Sequence, residues 1–308
     1  MNKKINISKN FNKTMIAFLK EDMEFSGRSA KKLLKNSLVL LNNKRAYGDT
    51  RIKGGDIIHI LGAEKKEDYI VPQNLKLSIL FEDEFILIVD KPPFMSMLPG
   101  KTNEGTLANG IRYYFDNNGI MEPVRFYNRL DMNTSGIVLI PKNSQTHSLL
   151  DRYSSETVVK KYQAVVLGIP KVGSDTIKKP ISMVADEKGK RIVTDRGKPA
   201  ITKYTLVETF KNSSLLDIHL KTGRTHQIRI HLSSIRHPII GDTLYGVNTK
   251  FIGRQALHSY KLEFFHPIRK QGVIIESPLP EDMKKLISIL KEKYIVSFGA
   301  TRNKLTDY

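Results

Sequence analysis

No stretch constrains this chain more than the polar run Arg125-Phe126-Tyr127-Asn128-Arg129-Leu130-Asp131-Met132-Asn133-Thr134-Ser135-Gly136, which passes without a break into the apolar segment Ile137 to Ile140. A buried strand entered from a polar turn is a junction of rigid scaffold and loop, and reactive groups are presented at such junctions. The carboxylate there, Asp131, is the candidate nucleophile. On turn chemistry alone the commoner reading is an Asx-turn former that accepts backbone N–H bonds.

Strand patterns recur around this segment. Ile79 to Phe81, Phe85 to Val89, Ile137 to Ile140, Tyr162 to Leu167, Tyr204 to Thr209 and Leu215 to Leu220 are rich in β-branched and aromatic residues. Glu281 to Tyr294 reads as a helix whose Met283, Leu286, Ile287, Leu290 and Tyr294 form one apolar stripe. Strands and helices mix without regular strand-helix alternation, so the expected class is α+β rather than doubly wound. With no Gly-x-Gly-x-x-Gly and no P-loop, no nucleotide cofactor is expected. His226 and His231 are five apart, off the helical spacing that would pair two ligands, so no metal is expected either.

The 308 residues carry 50 Lys and Arg against 31 Asp and Glu, a net charge of +19. That balance suits a polyanionic partner, with nucleic acid preferred over membrane. No run approaches the roughly 18 apolar residues of a spanning helix, and the Met1-Asn2-Lys3-Lys4 start lacks a signal-peptide core. A cytoplasmic monomer is expected. The absence of Cys excludes disulfides, thiolate metal sites and a Cys nucleophile, but leaves a carboxylate nucleophile available.

The charge is uneven. Residues 1–62 hold 13 Lys and Arg against 5 Asp and Glu, a net +8. Residues 1–12 read as a flexible basic arm. Ile16, Leu19 and Met23 fall at helical spacing, Ser29 to Asn36 reads as a short basic helix, and Leu38 to Leu41 and Ile57 to Ile60 read as strands. Residues 63–74, with the charged run Glu64 to Asp68, read as a linker. A larger domain then spans 75–298, followed by a tail at 299–308.

A second polar segment, Thr222-Gly223-Arg224-Thr225-His226-Gln227-Ile228-Arg229-Ile230-His231, and a third, Lys160-Lys161-Tyr162, complete a pattern. With Asn128-Arg129-Leu130-Asp131, Lys91-Pro92, His237-Pro238, Gly241 to Gly246 and His266-Pro267, they resemble the RluA/RluD-type pseudouridine synthases. Asn128 departs from the pattern, since many members carry His there. The N-terminal order of helix, basic helix and paired strands resembles the alpha-L RNA-binding module.

The resemblance implies a mixed, largely antiparallel central sheet with flanking helices around a catalytic cleft, and isomerisation of uridine in RNA without a cofactor. Large-subunit ribosomal RNA is the expected substrate. Transfer RNA, or a non-catalytic RNA-binding or ribosome-assembly role, are the alternatives. It implies Asp131 as nucleophile, Arg224 as its guanidinium partner, and Tyr162 stacked on the base and taking the ring proton. The expected N-cap of the helix after Arg224 is Thr225. Arg129 is suited to fill the stack when uridine flips out, and Arg28, Lys31, Lys32, Lys35, Lys44 and Arg45 to contact phosphates. Lys91-Pro92, His226 and the Gly241 to Gly246 turn read as cleft scaffolding.

Overall fold

The computed structural model describes residues 3–302 apart from 9–10, 24, 26, 62–69, 101–103, 155–157 and 188, with only the backbone of 3, 28–29, 154 and 293–302 described. In chain order, β1 (Lys3–Asn6), β2 (Asn12–Thr14), α1 (Met15–Glu21), α2 (Gly27–Lys35), β3 (Val39–Leu41), β4 (Lys44–Arg45), β5 (Arg51–Lys53) and β6 (Ile57–Ile60) form the N-terminal segment. Thr14 caps α1, its side chain accepting from the Ala17 N–H. Met15, Phe18 and Leu19 of α1 pack with Ala30 and Leu34 of α2 and with Val39, Ile52 and Ile58 from the strands.

Residues 1–12, read from sequence as a flexible arm, contain a strand. Lys3–Asn6 pairs antiparallel with β6 in the register Ile5↔Ile58. The pairing is carried by backbone groups at a sheet edge, and Ile5 and Ile7 are the apolar contacts that seat it. The charged run Glu64 to Asp68 lies outside the described residues.

The rest of the chain contributes β7 (Ser78–Glu82), β8 (Ile86–Lys91), α3 (Leu107–Asn117), β9 (Ser135–Pro141), α4 (Ser144–Ser154), β10 (Val159–Leu167), β11 (Ser174–Lys178), β12 (Ile201–Thr209), β13 (Ser213–Leu220), α5 (Gln227–Ser234), β14 (Leu257–His266), β15 (Gln271–Glu276) and α6 (Glu281–Arg302). The strands form one nine-stranded sheet in the order β11-β12-β13-β10-β14-β9-β8-β7, with β15 on β14. Its pairs are antiparallel except β14 with β9. The class is the α+β arrangement expected from sequence.

Both faces of the β8–β9 pair are buried, which explains why these strands read as continuous apolar runs. Leu87, Val89, Val138 and Ile140 share a core with Leu107, Ile111 and Phe115 of α3, whose spacing of four keeps them on one helix face. Ile86, Ile88, Ile137 and Leu139 face the other way, toward Leu150 of α4 and Leu262 and Phe264 of β14. In α6, Met283, Leu286, Ile287 and Leu290 pack on the main core as the stripe implies, while the Tyr294 side chain lies outside the described residues.

The parallel pairing of β14 with β9 fixes the position of the Asp131 turn. His258 and Ser259 of β14 pair with Ser135 and Gly136 at the mouth of β9. Gly136 has φ +117, and a Cβ there would fall on the Ser259 carbonyl oxygen, so no side chain fits. Asn128, which departs from the expected His, is buried and spans the turn's base. Its amide donates to the Ile137 carbonyl at 2.9 Å and its oxygen accepts from the Leu139 N–H at 2.8 Å. Those two bonds give its position a structural purpose.

Candidate active site

The Asp131 turn is tied down from three directions. The Thr134 N–H donates to the Asp131 backbone carbonyl at 3.0 Å, which closes the turn through the main chain and leaves the carboxylate for other partners. Lys91, fully buried, reaches up from β8 and its ammonium donates to the carbonyls of Pro92 (2.8 Å), Met95 (2.9 Å) and Met132 (3.0 Å). Burial, reinforced by the positive charge of Arg254, pushes the Lys91 ammonium down to about 7, while three carbonyls use all three donors of its charged form. Arg254, 1% exposed, donates to the Asn133 carbonyl at 3.2 Å while its fork grips Asp282 of α6 at 2.6 and 2.9 Å. Gln255 donates to the Thr134 hydroxyl at 3.1 Å.

The partner of the Asp131 carboxylate is Arg229, not Arg224. Arg229 Nη1 donates to Asp131 Oδ2 at 3.0 Å, and the other edge of the same guanidinium holds Asp242 at 2.7 and 2.9 Å. Arg224 is exposed, and its Nε donates to the Pro199 carbonyl at 3.1 Å. The cause is where α5 starts. It opens at Gln227 behind His226, which takes the left-handed conformation (φ 56) and makes no side-chain cap, so Thr225 does not cap the helix. Buried Gln227 knits the turn instead: its oxygen accepts from the Arg224 N–H (3.0 Å) and the Thr222 hydroxyl (2.8 Å), and its amide donates to the Ile201 carbonyl (3.0 Å). Arg224 is thereby left outside the helix and Arg229 placed inside it.

A sequence signal for Arg229 existed. Its helix reads as buried around Ile228 and Leu232, and an Arg within such a helix requires carboxylates. Asp131 and Asp242 are the carboxylates present. Asp242 is fully buried and also accepts from the N–H groups of Leu244 (2.9 Å) and Tyr245 (3.0 Å). Burial alone would raise its carboxyl, but the Arg229 fork and these N–H groups hold it below the ordinary value. The Arg229 guanidinium also lies 5.1 Å from the centre of the Tyr245 ring.

Tyr162 comes from β10, where the pairing with β14 slips by a bulge between Lys161 and Tyr162. A bulge re-aims the side chain that follows it, and Tyr162, 4% exposed, lines the same cleft as Asp131. Burial pushes its phenol up to about 12, with Ser259 acting in the opposite sense. His226 stands with Nε2 4.0 Å from Asp131 Oδ2 and Nδ1 3.1 Å from the Tyr245 hydroxyl. A larger hollow of about 270 Å³, walled by Ile240, Phe251, Leu286 and Leu290, contains neither carboxylate nor tyrosine. The charged cleft is the site equipped for chemistry.

Residues 85–234 match the family described as RNA pseudouridylate synthase. The Bacillus subtilis protein YjbO, which bears the name of an RNA pseudouridine synthase, is 38% identical over 239 residues, 77% of this chain and 84% of its own length. The Escherichia coli ribosomal large subunit pseudouridine synthase D is 31% identical over 88% of both chains. The chain belongs to the RluA/RluD type of RNA pseudouridine synthases. Its fold has a solved counterpart in human RNA pseudouridylate synthase domain containing 1, with TM-score 0.55 and 23% identity over 71% of this chain and 96% of that one.

Within this synthase the cleft gathers Arg129, Asp131, Tyr162, Arg224, His226 and Arg229 along its lining. Arg129 is exposed at the rim, next to the buried Leu130 that anchors the turn. In the N-terminal segment Lys31, Lys32, Lys35, Lys44 and Arg45 are exposed, and the Arg45 guanidinium stacks 5.1 Å from the Tyr47 ring. The Arg28 side chain lies outside the described residues. Sequence reasoning missed Arg229, Arg254 and Asp282. Arg254, in the loop before β14, and Asp282, on α6, meet across 28 positions, and such a pairing leaves no local pattern.

Proposed function

We propose that this synthase isomerises uridine to pseudouridine in large-subunit ribosomal RNA, with Asp131 as the reacting carboxylate. The observation that carries the reading is a single guanidinium, Arg229, shared between the partly buried Asp131 and the fully buried Asp242. Asp242 fixes Arg229, and Arg229 in turn fixes the rotamer of Asp131 and supplies a positive charge beside it. The reaction breaks the bond from uracil N1 to the ribose anomeric carbon, turns the base, and joins its C5 to that carbon. The C5 proton then leaves and N1 takes one up, so atoms balance without a redox partner. Asp131 either adds to the anomeric carbon or assists elimination of the base through a glycal.

Tyr162, with its phenol at about 12, enters as a neutral ring suited to stacking on the base. To accept the C5 proton it must first lose its own. Arg129 fills the space vacated by the flipped uridine, a move costing a few kcal/mol. Arg224, free of Asp131, serves as a rim cation for a phosphate. The exposed cations Lys31, Lys32, Lys35, Lys44 and Arg45, with Arg28, contact RNA backbone in the manner of an alpha-L module. The ribosomal substrate rests on the large-subunit names of relatives at 31–34% identity.

The test is a chemical map of pseudouridine in ribosomal and transfer RNA from cells with and without the gene. Loss of one or a few large-subunit positions is expected. Loss confined to transfer RNA would overturn the substrate, and no loss would favour a binding protein that retains the fold.

A further inference from the structure

Phe94 follows Lys91-Pro92-Pro93 with φ +63, the left-handed region that a bulky side chain occupies only at a cost in strain. It is also 61% exposed. Its neighbours are not: Met95 packs on the main core and Met97 is 7% exposed. The loop therefore anchors itself through the two methionines and turns the phenylalanine outward. Folding gains little from this choice, since Gly would adopt the same backbone without strain and without exposing apolar surface.

The loop's position suggests a purpose. The Lys91 ammonium binds the Met95 carbonyl on one side and the Met132 carbonyl on the other, so the Phe94 loop and the Asp131 turn hang from the same buried cation. Met132, next to Asp131, is itself 51% exposed. The loop that carries the exposed Phe94 ring is thus held in fixed register to the turn that carries the Asp131 carboxylate.

We propose that Phe94 is a stacking platform for an unpaired base of the substrate RNA adjoining the uridine that enters the cleft. The proposal rests on the pseudouridine-synthase reading above. Drawing a uridine out of its stack leaves a neighbour without its partner, and any base can lay its face on an aromatic ring. Contact of this kind adds affinity with little sequence preference.

The experiment compares wild type with Phe94→Gly and Phe94→Trp on large-subunit ribosomal RNA from cells lacking the gene. Phe94→Gly should raise KM about 10-fold, the scale of losing one stacked base, with the change in KM rather than kcat and no loss in Tm because the strain is relieved. Phe94→Trp should keep the wild-type KM. An unchanged KM in Phe94→Gly, or a Phe94→Trp protein as weak as Phe94→Gly, would overturn the platform. If wild type forms no pseudouridine on this RNA, the ribosomal-substrate reading fails. The platform is then tested by the affinities of Asp131→Asn and Asp131→Asn/Phe94→Gly for the same RNA: about a 10-fold difference upholds it and equal affinities overturn it.

Discussion

In the N-terminal segment Lys31, Lys32, Lys35 and Lys44 stand in solvent, whereas around the cleft Lys91, Arg229 and Arg254 are buried and each is bound to several acceptors. The same positive charge sits in two different environments. An exposed cation adds to RNA affinity through counterion release, roughly independently of its neighbours. A buried cation must be satisfied by fixed acceptors, and whatever supplies those acceptors is held in place. At the cleft the acceptors include the Asp131 carboxylate and the Met132 and Asn133 carbonyls, so burial of charge there sets the geometry of the turn.

The comparison breaks most readily at Arg229. Arg229→Gln should lower kcat by about 10²–10³-fold and cost about 3–5 kcal/mol of stability, because Asp242 is left buried without its ion pair; single-turnover assays and urea unfolding would measure both. A stable, active Arg229→Gln protein would show that the shared guanidinium does not organise the site. Asp282→Asn comes next. It frees one side of Arg254, which also grips the Asn133 carbonyl, and should lower kcat on the order of 10-fold with KM little changed, the expected effect of a slightly misplaced reactive group. An equal rise in KM would instead point to a general loosening of the cleft.

Tyr162→Phe sharpens the contrast through pH. A phenol at about 12 stays protonated from pH 6 to 9, so removing its hydroxyl should leave the shape of the pH–rate profile over that range unchanged, whatever it does to the rate. If the basic limb of the profile disappears with the hydroxyl, Tyr162 acts as an ionised base. The smallest effect belongs to the exposed set. Replacing Lys31, Lys32 and Lys35 together by Ala should leave Tm unchanged and make the salt dependence of RNA binding shallower by about 2 in log–log slope. An unchanged slope would remove these lysines from the RNA contact.

The two regions also differed in how well sequence revealed them. The strands around Ile88, Leu139, Val165 and Leu216 were legible because burial on one or both faces selects β-branched and apolar residues over several positions. Ser174–Lys178, mostly exposed, carries few such residues, Gln271–Glu276 confines them to the short run Val273 to Ile275, and Lys3–Asn6 is held by edge pairing that composition does not encode. Asp131 and Tyr162 were identified from family motifs, and both line the cleft. Arg224 and Arg229 lie in the same motif, five residues apart, and the choice between them depends on where a helix starts. That start is set by the buried Gln227 amide rather than by the Ser, Thr or Asp cap that sequence patterns emphasise.

The most direct test is pseudouridine formation and RNA affinity measured on the same Asp131→Asn preparation. Asn keeps the size of the side chain but removes the carboxylate to which the proposed reaction is assigned. The expected result is no detectable pseudouridine in ribosomal RNA, with affinity for that RNA within about 2-fold of wild type because phosphate contacts carry most of the binding. Continued formation of pseudouridine by Asp131→Asn would contradict the assignment of Asp131 as the reacting group.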